Sequence, residues 1–202
     1  MRPLKSIIAA AACMLVLSNS SAVELAGVKL DDTAKVANTD LKLNGAGIRV
    51  KAIFKVYVAG LYLPQKKSSV SDILNMQGPR RITMVMLRDV SSDDFGQSFI
   101  TGLNNNADKA EKTKIINQTM KFGEMFQQMP GIKKGDILTL DWVPGTGTVS
   151  SLNGKKVGET LPDLTFFNAV LKIWIGDNPA DSSLKPQLLG TAKDSAAGGK
   201  EQ

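Results

Sequence analysis

The pattern of apolar and polar positions predicts two strands that are buried on both faces. Residues 54–63 have the sequence FKVYVAGLYL and residues 81–87 have RITMVML, so apolar side chains occupy both sets of alternating positions. Strands of this kind indicate a sheet that is covered on both sides, at least locally. Four shorter strands are predicted before them, at 28–30, 33–36, 40–44 and 48–53, with a bend at Gly45-Ala46-Gly47 between the last two.

Helical spacing follows in the middle of the chain. A short helix is predicted over 69–76. Ser91 or Ser92 can cap a longer helix that runs to about Asn104, because serine side chains accept hydrogen bonds from the first free N–H groups. The spacing Asp108-x-x-Glu111 predicts a capping box that opens another helix, ending near Gln128 before Pro130-Gly131.

The last third of the chain predicts a meander of strands followed by helices. The strands lie at 136–142, 147–152 and 155–160, and Asn153-Gly154 is a strong two-residue hairpin signal. Helices follow at 162–176 and 183–190. Strands, helices, strands and then helices predict an α+β fold: a largely antiparallel sheet with a layer of helices packed on one face.

The N-terminus has the pattern of an export signal. Arg2 and Lys5 precede an apolar run over 7–17, and small residues lead to Ala22, after which we predict cleavage. The run is shorter than the roughly 20 residues that span a bilayer, so we expect a periplasmic or secreted protein with no transmembrane segment after cleavage. An uncleaved anchor and a lipid-modified Cys13 are the alternatives. The expected domain is 23–190, and the tail 191–202 lacks large apolar residues and is predicted to be disordered.

Composition excludes several kinds of chemistry. The chain has no histidine, and its one cysteine, Cys13, lies within the predicted signal. Ser-His-Asp triads, Cys-His dyads and His-ligated metals are therefore excluded, and we expect no metal and no cofactor. The formal net charge of +6 is spread over scattered lysines without interleaved aromatic residues, so we expect no nucleic-acid partner.

Two segments resemble the chalcone isomerase family. Gly45-Ala46-Gly47, Arg49 and Gly60-Leu61-Tyr62-Leu63 are similar to its conserved glycine-alanine-glycine bend, arginine and strand ending in Gly-x-Tyr-x. Residues 169–176, followed by Leu184-Lys185, resemble its paired C-terminal helices. The resemblance covers roughly 28–190 and implies the family's open-faced β-sandwich. The export signal and the shortened spacing between Arg49 and Tyr57 are similar to those of the bacterial chalcone isomerase-like proteins, and not to those of the plant enzymes.

In the plant isomerases of this family, five polar groups surround the flavonoid, and the resemblance implies that most are replaced here. The corresponding positions are Arg49, which matches; Tyr57 for a threonine; Phe95 for a tyrosine; Gly102 near an asparagine, with Asn104 as the alternative; and Ile173 for a hydroxyl residue. Ring closure needs donors aimed at the developing oxyanion charge, and apolar replacements remove them. The resemblance thus argues against the ring-closing activity of the plant isomerases.

Arg49 and Tyr57 together look like the non-catalytic branch of the family, whose plant members bind fatty acids. The resemblance implies that these two residues hold the carboxylate, and Asn104 is a third candidate for ligand binding. A guanidinium offers two parallel donors to a carboxylate, and a phenol can add a third. Adaptable thioethers are candidates to line the pocket: Met84, Met86, Met120 and Met125. The structural alternatives are a surface Arg49 at a strand end and a core Tyr57 bonded to a backbone carbonyl.

Three functions stay open on the sequence alone. The first is an exported, non-enzymatic binding protein for a fatty acid or similar small amphipathic carboxylate. The second is an isomerase or lyase that acts on an enone-like molecule, with Arg49 as electrophile and Tyr57 as proton donor. The third is a ligand-free assembly factor or chaperone-like protein. The sequence does not identify the protein partner that it would act on.

Overall fold

The computed structural model of the protein describes residues 22–192. The strands in this part of the chain are β1 (Ala22–Leu25), β2 (Val28–Asp31), β3 (Thr33–Val36), β4 (Thr39–Lys51), β5 (Phe54–Leu63), β6 (Arg80–Met86), β7 (Ile137–Val143), β8 (Gly147–Leu152) and β9 (Lys155–Leu161). The helices are α1 (Val70–Leu74), α2 (Ser92–Asn106), α3 (Lys109–Lys114), α4 (Ile116–Gln127), α5 (Leu164–Ile175) and α6 (Leu184–Leu188). None of these helices is long and apolar enough to cross a bilayer.

The predicted signal peptide and tail are not tested by this structure. Residues 1–22 and 191–202 lie outside the described residues, except for Ala22, Thr191 and Ala192. Cleavage, export and the disorder of the tail therefore stay predictions.

Seven strands of the described chain form one curled antiparallel sheet in sequence order, from β3 to β9. Strands β1 and β2 make a separate hairpin. The turn between β8 and β9 has φ of 51° at Asn153 and 76° at Gly154, which are the positive values that a two-residue hairpin favours. The predicted meander and the α+β fold with helices packed on one face are confirmed.

The sheet is buried on both faces, as the two-faced strands predicted. The larger core lies between the sheet and the helices and includes Tyr57, Leu61 and Phe99. A smaller core with Val58 and Tyr62 lies on the other face, beside residues of the β1–β2 hairpin. The Tyr62 hydroxyl donates a 3.0 Å hydrogen bond to the Asp31 carbonyl at the end of that hairpin. Alternation along β5 thus divides its side chains between two cores.

The predicted bend at Gly45-Ala46-Gly47 is wrong. Strand β4 continues through these residues, with one register irregularity between Leu43 and Gly45. The glycines serve close packing instead, because a Cβ at Gly45 would overlap the backbone carbonyls of Gln187 and Leu188 in α6. A Cβ at Gly47 would meet the Gln187 side chain. The missing side chains let the last helix lie against the strand.

The single helix predicted from Asp108 to Gln128 is two helices. The capping box is confirmed, since the Asp108 carboxylate accepts from the Glu111 N–H at 2.9 Å and the Glu111 carboxylate accepts from the Asp108 N–H at 3.1 Å. The break falls at the fully buried Ile115, whose φ of −104° and ψ of 10° lie outside the helical range. Helix α2 also extends past its predicted end, to Asn106.

Candidate ligand-binding site

A cleft of about 410 Å³ lies between the β4–β5 hairpin and helices α2 and α5. This volume falls within the range of roughly 300–1,000 Å³ that is typical of small-molecule sites. Its apolar wall comes from β5, α2 and α5: Val56, Tyr57, Phe95, Phe99, Ile173 and Trp174. The charged and polar residues that line it are Arg49, Lys51, Arg88, Asp89, Ser91, Asp94 and Ser98. The cleft therefore combines an aromatic wall with several cations.

Strand pairing brings Arg49 and Tyr57 together in this cleft. The two residues are direct cross-strand partners on β4 and β5, so their side chains are neighbours on the same face of the sheet. The Arg49 Cζ lies 5.7 Å from the centroid of the Tyr57 ring, which is within cation–π range. A two-residue turn alone would pair Arg49 with Val56. The spacing of eight residues depends on the register irregularity between Arg49 and Val50, which places one extra residue on β5 and brings Tyr57 opposite Arg49.

The Tyr57 hydroxyl is a neutral hydrogen-bond donor with one bond already formed. Its oxygen accepts a 2.8 Å hydrogen bond from the Trp174 indole Nε1. Burial raises the pKa of Tyr57 to about 12, although the nearby Arg49 charge and the Trp174 bond oppose this shift. The phenol therefore keeps its proton at neutral pH, and that proton can be donated to a group in the cleft. Tyr57 is buried in the larger core, as the structural alternative predicted, but its hydroxyl bonds the Trp174 indole and not a backbone carbonyl.

The Arg49 guanidinium has unused donors. The side chain is half-buried, and its Nε is buried without a hydrogen-bond partner. Among residues 22–192, no carboxylate forms an ion pair with it. Because a buried donor without a partner is costly, an acceptor that enters the cleft can satisfy this group.

Asp181 is the carboxylate whose charge acts on Tyr57, and it is committed to the backbone. Its Oδ2 accepts a 2.8 Å bond from the Val50 N–H, and its Oδ1 accepts from the N–H and hydroxyl of Ser183. Burial opposes ionisation, but these bonds lower the pKa of Asp181. The carboxylate thus holds the end of β4 against the start of α6.

The other positions matched to the plant isomerases divide into two groups. Phe95 and Ile173 line the cleft, and Phe95 makes an edge-to-face contact with Tyr57 at 6.4 Å between centroids. Gly102 does not line it; a Cβ there would lie 2.8 Å from Ile173 Cγ2, so glycine allows α2 to approach α5 closely.

The structure does not bring Asn104 to the cleft. Its side chain is exposed on α2 and is absent from the cleft lining. Phe95, Phe99 and Leu103 form the buried stripe of this helix at a spacing of four, and Asn104 follows about 100° further round the helix. Its predicted role in ligand binding has no geometric support.

The predicted methionine lining is wrong. Met84, Met86 and Met125 are buried in the larger core, and Met120 is 60% exposed on α4. None of them lines the cleft. Aromatic rings form much of the wall instead, and Phe99 contacts both Phe95 and Trp174.

Sequence reasoning missed a polar groove beside the cleft. A second cavity of about 380 Å³ shares Arg49, Lys51, Asp94, Ser98 and Ala180 with it. Its other polar residues come from α2 and the segment after α5: Gln97, Thr101, Asn105 and Asn178. The available signal was the run of amides and hydroxyls at every third or fourth position from residue 97 to 105, which places them on one helix face.

The site suits an organic anion better than a metal. Within the described residues, no group of three or more carboxylate, histidine or cysteine side chains is arranged to hold a metal ion. Guanidinium and phenol groups donate hydrogen bonds, and a carboxylate or another oxyanion accepts them.

This fold and cleft define a chalcone isomerase-like protein. The sequence model of the chalcone isomerase-like family matches residues 22–190, so the chain belongs to this family. The crystal structure of the Arabidopsis thaliana fatty-acid binding protein AtFAP1 is similar, with a TM-score of 0.66 and 16% sequence identity over 84% of this chain and 96% of that chain. At this identity the likeness shows a common fold. No curated protein matches the sequence. The predicted family is confirmed, whereas its bacterial branch stays a prediction.

Proposed function

We propose that the protein is an exported, non-enzymatic binding protein for a fatty acid or a similar amphipathic carboxylate. The observation that carries this proposal is that Arg49 and Tyr57 line one aromatic-walled cleft, with the guanidinium 5.7 Å from the centroid of the phenol ring. In the proposed complex the carboxylate accepts hydrogen bonds from both groups, and the acyl chain lies against Phe95, Phe99 and Ile173. Export rests on the predicted signal peptide.

The energetics assign different tasks to the two parts of such a ligand. A hydrogen bond to a charged group contributes about 1.5–3 kcal/mol. Burying methylenes contributes about 0.8 kcal/mol each, so a chain of ten supplies several times more. Association costs about 4–15 kcal/mol. The acyl chain therefore provides most of the affinity, and Arg49 mainly fixes the orientation.

Structural similarity to a fatty-acid binding protein is a second line of support for the proposal. AtFAP1 is described as a fatty-acid binding protein and has the same fold across most of both chains. The cleft of this protein also has the chemical features that such a ligand needs, which makes the inference independent of sequence identity.

The raised pKa of the Tyr57 hydroxyl favours a binding role over a catalytic one. A general acid works best when its pKa lies near the operating pH, and burial raises the pKa of Tyr57 to about 12. Phe95 and Ile173 present no donors to an oxyanion, although they line the cleft where the plant isomerases carry hydroxyls. An isomerase would have to depend on Arg49 and one weak acid.

Calorimetric titration with dodecanoic acid and with its methyl ester tests the proposal. We expect Arg49→Met to weaken binding of the acid by about tenfold to a hundredfold, because a charged hydrogen-bonding partner is lost. The ester should bind the wild-type protein about as weakly as the acid binds Arg49→Met. Lys155→Met removes an exposed cation outside the cleft lining and is the matched control. Equal binding of acid and ester to the wild-type protein would contradict the proposal.

Two further measurements separate the alternatives. Native mass spectrometry of the exported protein should detect a bound acyl chain whose occupancy is lower in Arg49→Met. Turnover of a chalcone or another enone that is lost in Tyr57→Phe would instead favour the isomerase. Failure to bind any acyl chain, with no turnover, would leave the ligand-free assembly partner.

A further inference from the structure

The turn between β4 and β5 exposes apolar side chains that folding does not require. Lys51 and Phe54 are the last paired residues, so Ala52 and Ile53 form a two-residue turn. Ile53 is 84% exposed and Phe54 is 52% exposed, and no other large hydrophobic residue of the described chain is as exposed as Ile53. Such turns favour glycine, asparagine and aspartate, so an isoleucine here adds nothing to local stability. Val50, at 38% exposure, extends the apolar surface.

Cations surround this apolar tip. Lys51, Lys55 and Arg88 are exposed, and the Arg88 Cζ lies 4.5 Å from the centroid of the Phe54 ring. Residues 50–55 contain no carboxylate, and within residues 22–192 none of the three cations forms an ion pair. We call residues 50–55 together with Arg88 the basic tip.

The carboxylate that follows Arg88 in the chain does not neutralise the basic tip. Asp89 pairs with the Lys133 ammonium at 3.2 Å and accepts a 2.9 Å bond from the Lys134 N–H. Its charge is therefore matched by Lys133. Asp181 also contacts the tip, because its Oδ2 accepts a hydrogen bond from the Val50 N–H. The three cations of the tip therefore exceed the carboxylates bonded to it.

We propose that the basic tip docks on an anionic lipid bilayer. Ile53 and Phe54 enter the interface between headgroups and acyl chains, while Lys51, Lys55 and Arg88 contact the anionic headgroups. This arrangement of a few apolar side chains within a ring of cations matches the layered chemistry of such a surface.

The shape of the basic tip favours a bilayer over an acidic protein. A stable protein interface buries about 800 Å² on each partner, usually over 20–30 residues. The basic tip is a two-residue turn with its flanking side chains, which a soft, charged surface can surround without a complementary groove. Capture by an acidic protein is the outcome that would replace this proposal.

Docking at this tip places the cleft opening against the membrane. Lys51, Phe54 and Arg88 belong to the tip and also line the cleft. On the proposed ligand-binding function, an acyl chain would exchange between the bilayer and the cleft without crossing bulk water. The docking itself does not depend on a bound ligand, so it is measured on ligand-free protein.

Co-sedimentation with vesicles tests the proposal, using phosphatidylcholine alone or mixed with phosphatidylglycerol. We expect binding to the mixed vesicles that weakens with added salt. Ile53→Ser should lower the partition coefficient about tenfold or more, since one large apolar side chain no longer enters the bilayer. Ile116→Ser is the matched control, because Ile116 is 57% exposed on α4 and does not line the cleft. It should bind like the wild-type protein.

A labelled variant reports insertion directly. Cys13 is the only cysteine, so protein expressed without residues 1–22 gives one labelling site in Ile53→Cys. An environment-sensitive fluorophore there should shift to shorter wavelength on phosphatidylglycerol vesicles, while the same label at Ile116→Cys should not. Absence of wild-type binding, or equal loss in Ile53→Ser and Ile116→Ser, would overturn the proposal. Normal titration of dodecanoic acid by the same samples would show that the ligand-binding proposal survives such a failure.

Discussion

The Trp174 indole donates a 2.8 Å hydrogen bond to the Tyr57 hydroxyl, although the residues are 117 positions apart in the chain. The bond joins α5 to β5 at the wall of the cleft. Tyr57 is 4% exposed and Trp174 is 1% exposed, so solvent offers neither polar atom a ready substitute partner. Because the Tyr57 oxygen accepts from Trp174, its own proton is directed elsewhere. This one contact therefore joins two elements of the fold and leaves the phenol proton free to bond another acceptor.

Removing the phenol should destabilise the protein more than the lost oxygen alone suggests. Tyr57→Phe leaves the Trp174 N–H buried without an acceptor, which costs about 1–3 kcal/mol in the free energy of unfolding. Trp174→Phe also loses packing against Phe99. Urea denaturation of both single variants and of Tyr57→Phe/Trp174→Phe measures the coupling. We expect the double variant to lose less than the sum of the single losses, and strictly additive losses would contradict this account.

Stability should fall at alkaline pH as the buried phenols ionise. Burial raises the pKa of both tyrosines, Tyr57 and Tyr62, to about 12, whereas an unfolded tyrosine has a pKa of about 10. The folded state thus binds more protons between these values, so its stabilisation is complete below about pH 10 and is lost as pH rises towards 12. Denaturation at stepped pH and phenolate absorbance test this. Phenolate absorbance near pH 10 in protein that keeps its native circular dichroism would contradict it.

Local sequence signals were enough to predict most of the fold. The two-faced apolar pattern of residues 54–63 predicted both cores, because a strand repeats every two residues whatever lies against it. The capping box at Asp108 and the Asn153-Gly154 turn depend on neighbours in the chain, and both are confirmed. The resemblance around Arg49 and Tyr57 pointed to the family, and hairpin pairing then made these residues neighbours.

Features that depend on distant packing could not be predicted from the sequence. Gly45 and Gly47 were interpreted as a bend, but they make room for a helix about 140 residues later in the chain. The helix break falls at the buried Ile115, which no capping signal marks. Asn104 was predicted to bind the ligand from the family resemblance alone. An alignment that is wrong by one residue turns a helical side chain by about 100°, which is enough to move it from the cleft to the solvent.

The two glycines of β4 should respond differently to alanine. At Gly45 the obstacle is the backbone of Gln187 and Leu188, so Gly45→Ala should cost several kcal/mol or prevent folding. At Gly47 the nearest atoms belong to the side chains of Gln187 and Leu184, which can move. Gly47→Ala should therefore cost less, and adding Gln187→Ala should restore part of the loss. Thermal denaturation of these variants measures the difference.

Gly123→Ala is the control for the glycine substitutions. Gly123 lies in α4, and nothing would lie within 4 Å of its added Cβ. Alanine should stabilise the helix there by about 0.5–1 kcal/mol. Equal losses in Gly45→Ala and Gly47→Ala would show that the side chains of Gln187 and Leu184 do not move away from a Cβ at Gly47.

The ion pair between Arg81 and Asp141 should be the most sensitive charge pair among those described. The two residues are cross-strand partners on β6 and β7, and the guanidinium donates two hydrogen bonds of 2.6 Å to the carboxylate. Asp141 is 8% exposed, so Arg81→Met leaves a buried, unpaired charge and should cost about 3–5 kcal/mol in the free energy of unfolding. These bonds also raise the pKa of Arg81, which keeps the guanidinium charged across the physiological range.

Replacing both partners separates the value of the ion pair from the penalty of breaking it. Arg81→Met/Asp141→Leu removes both charges and should be more stable than Arg81→Met alone, because no buried charge is left without a partner. The control is Lys121→Met, which breaks a 2.6 Å ion pair between two exposed residues, Lys121 and Glu159. This substitution should change the free energy of unfolding little, because water replaces the lost contact. Urea denaturation of the three variants gives the comparison. If Arg81→Met is no less stable than Lys121→Met, solvent reaches Asp141 and the pair has no role in the stability of the sheet.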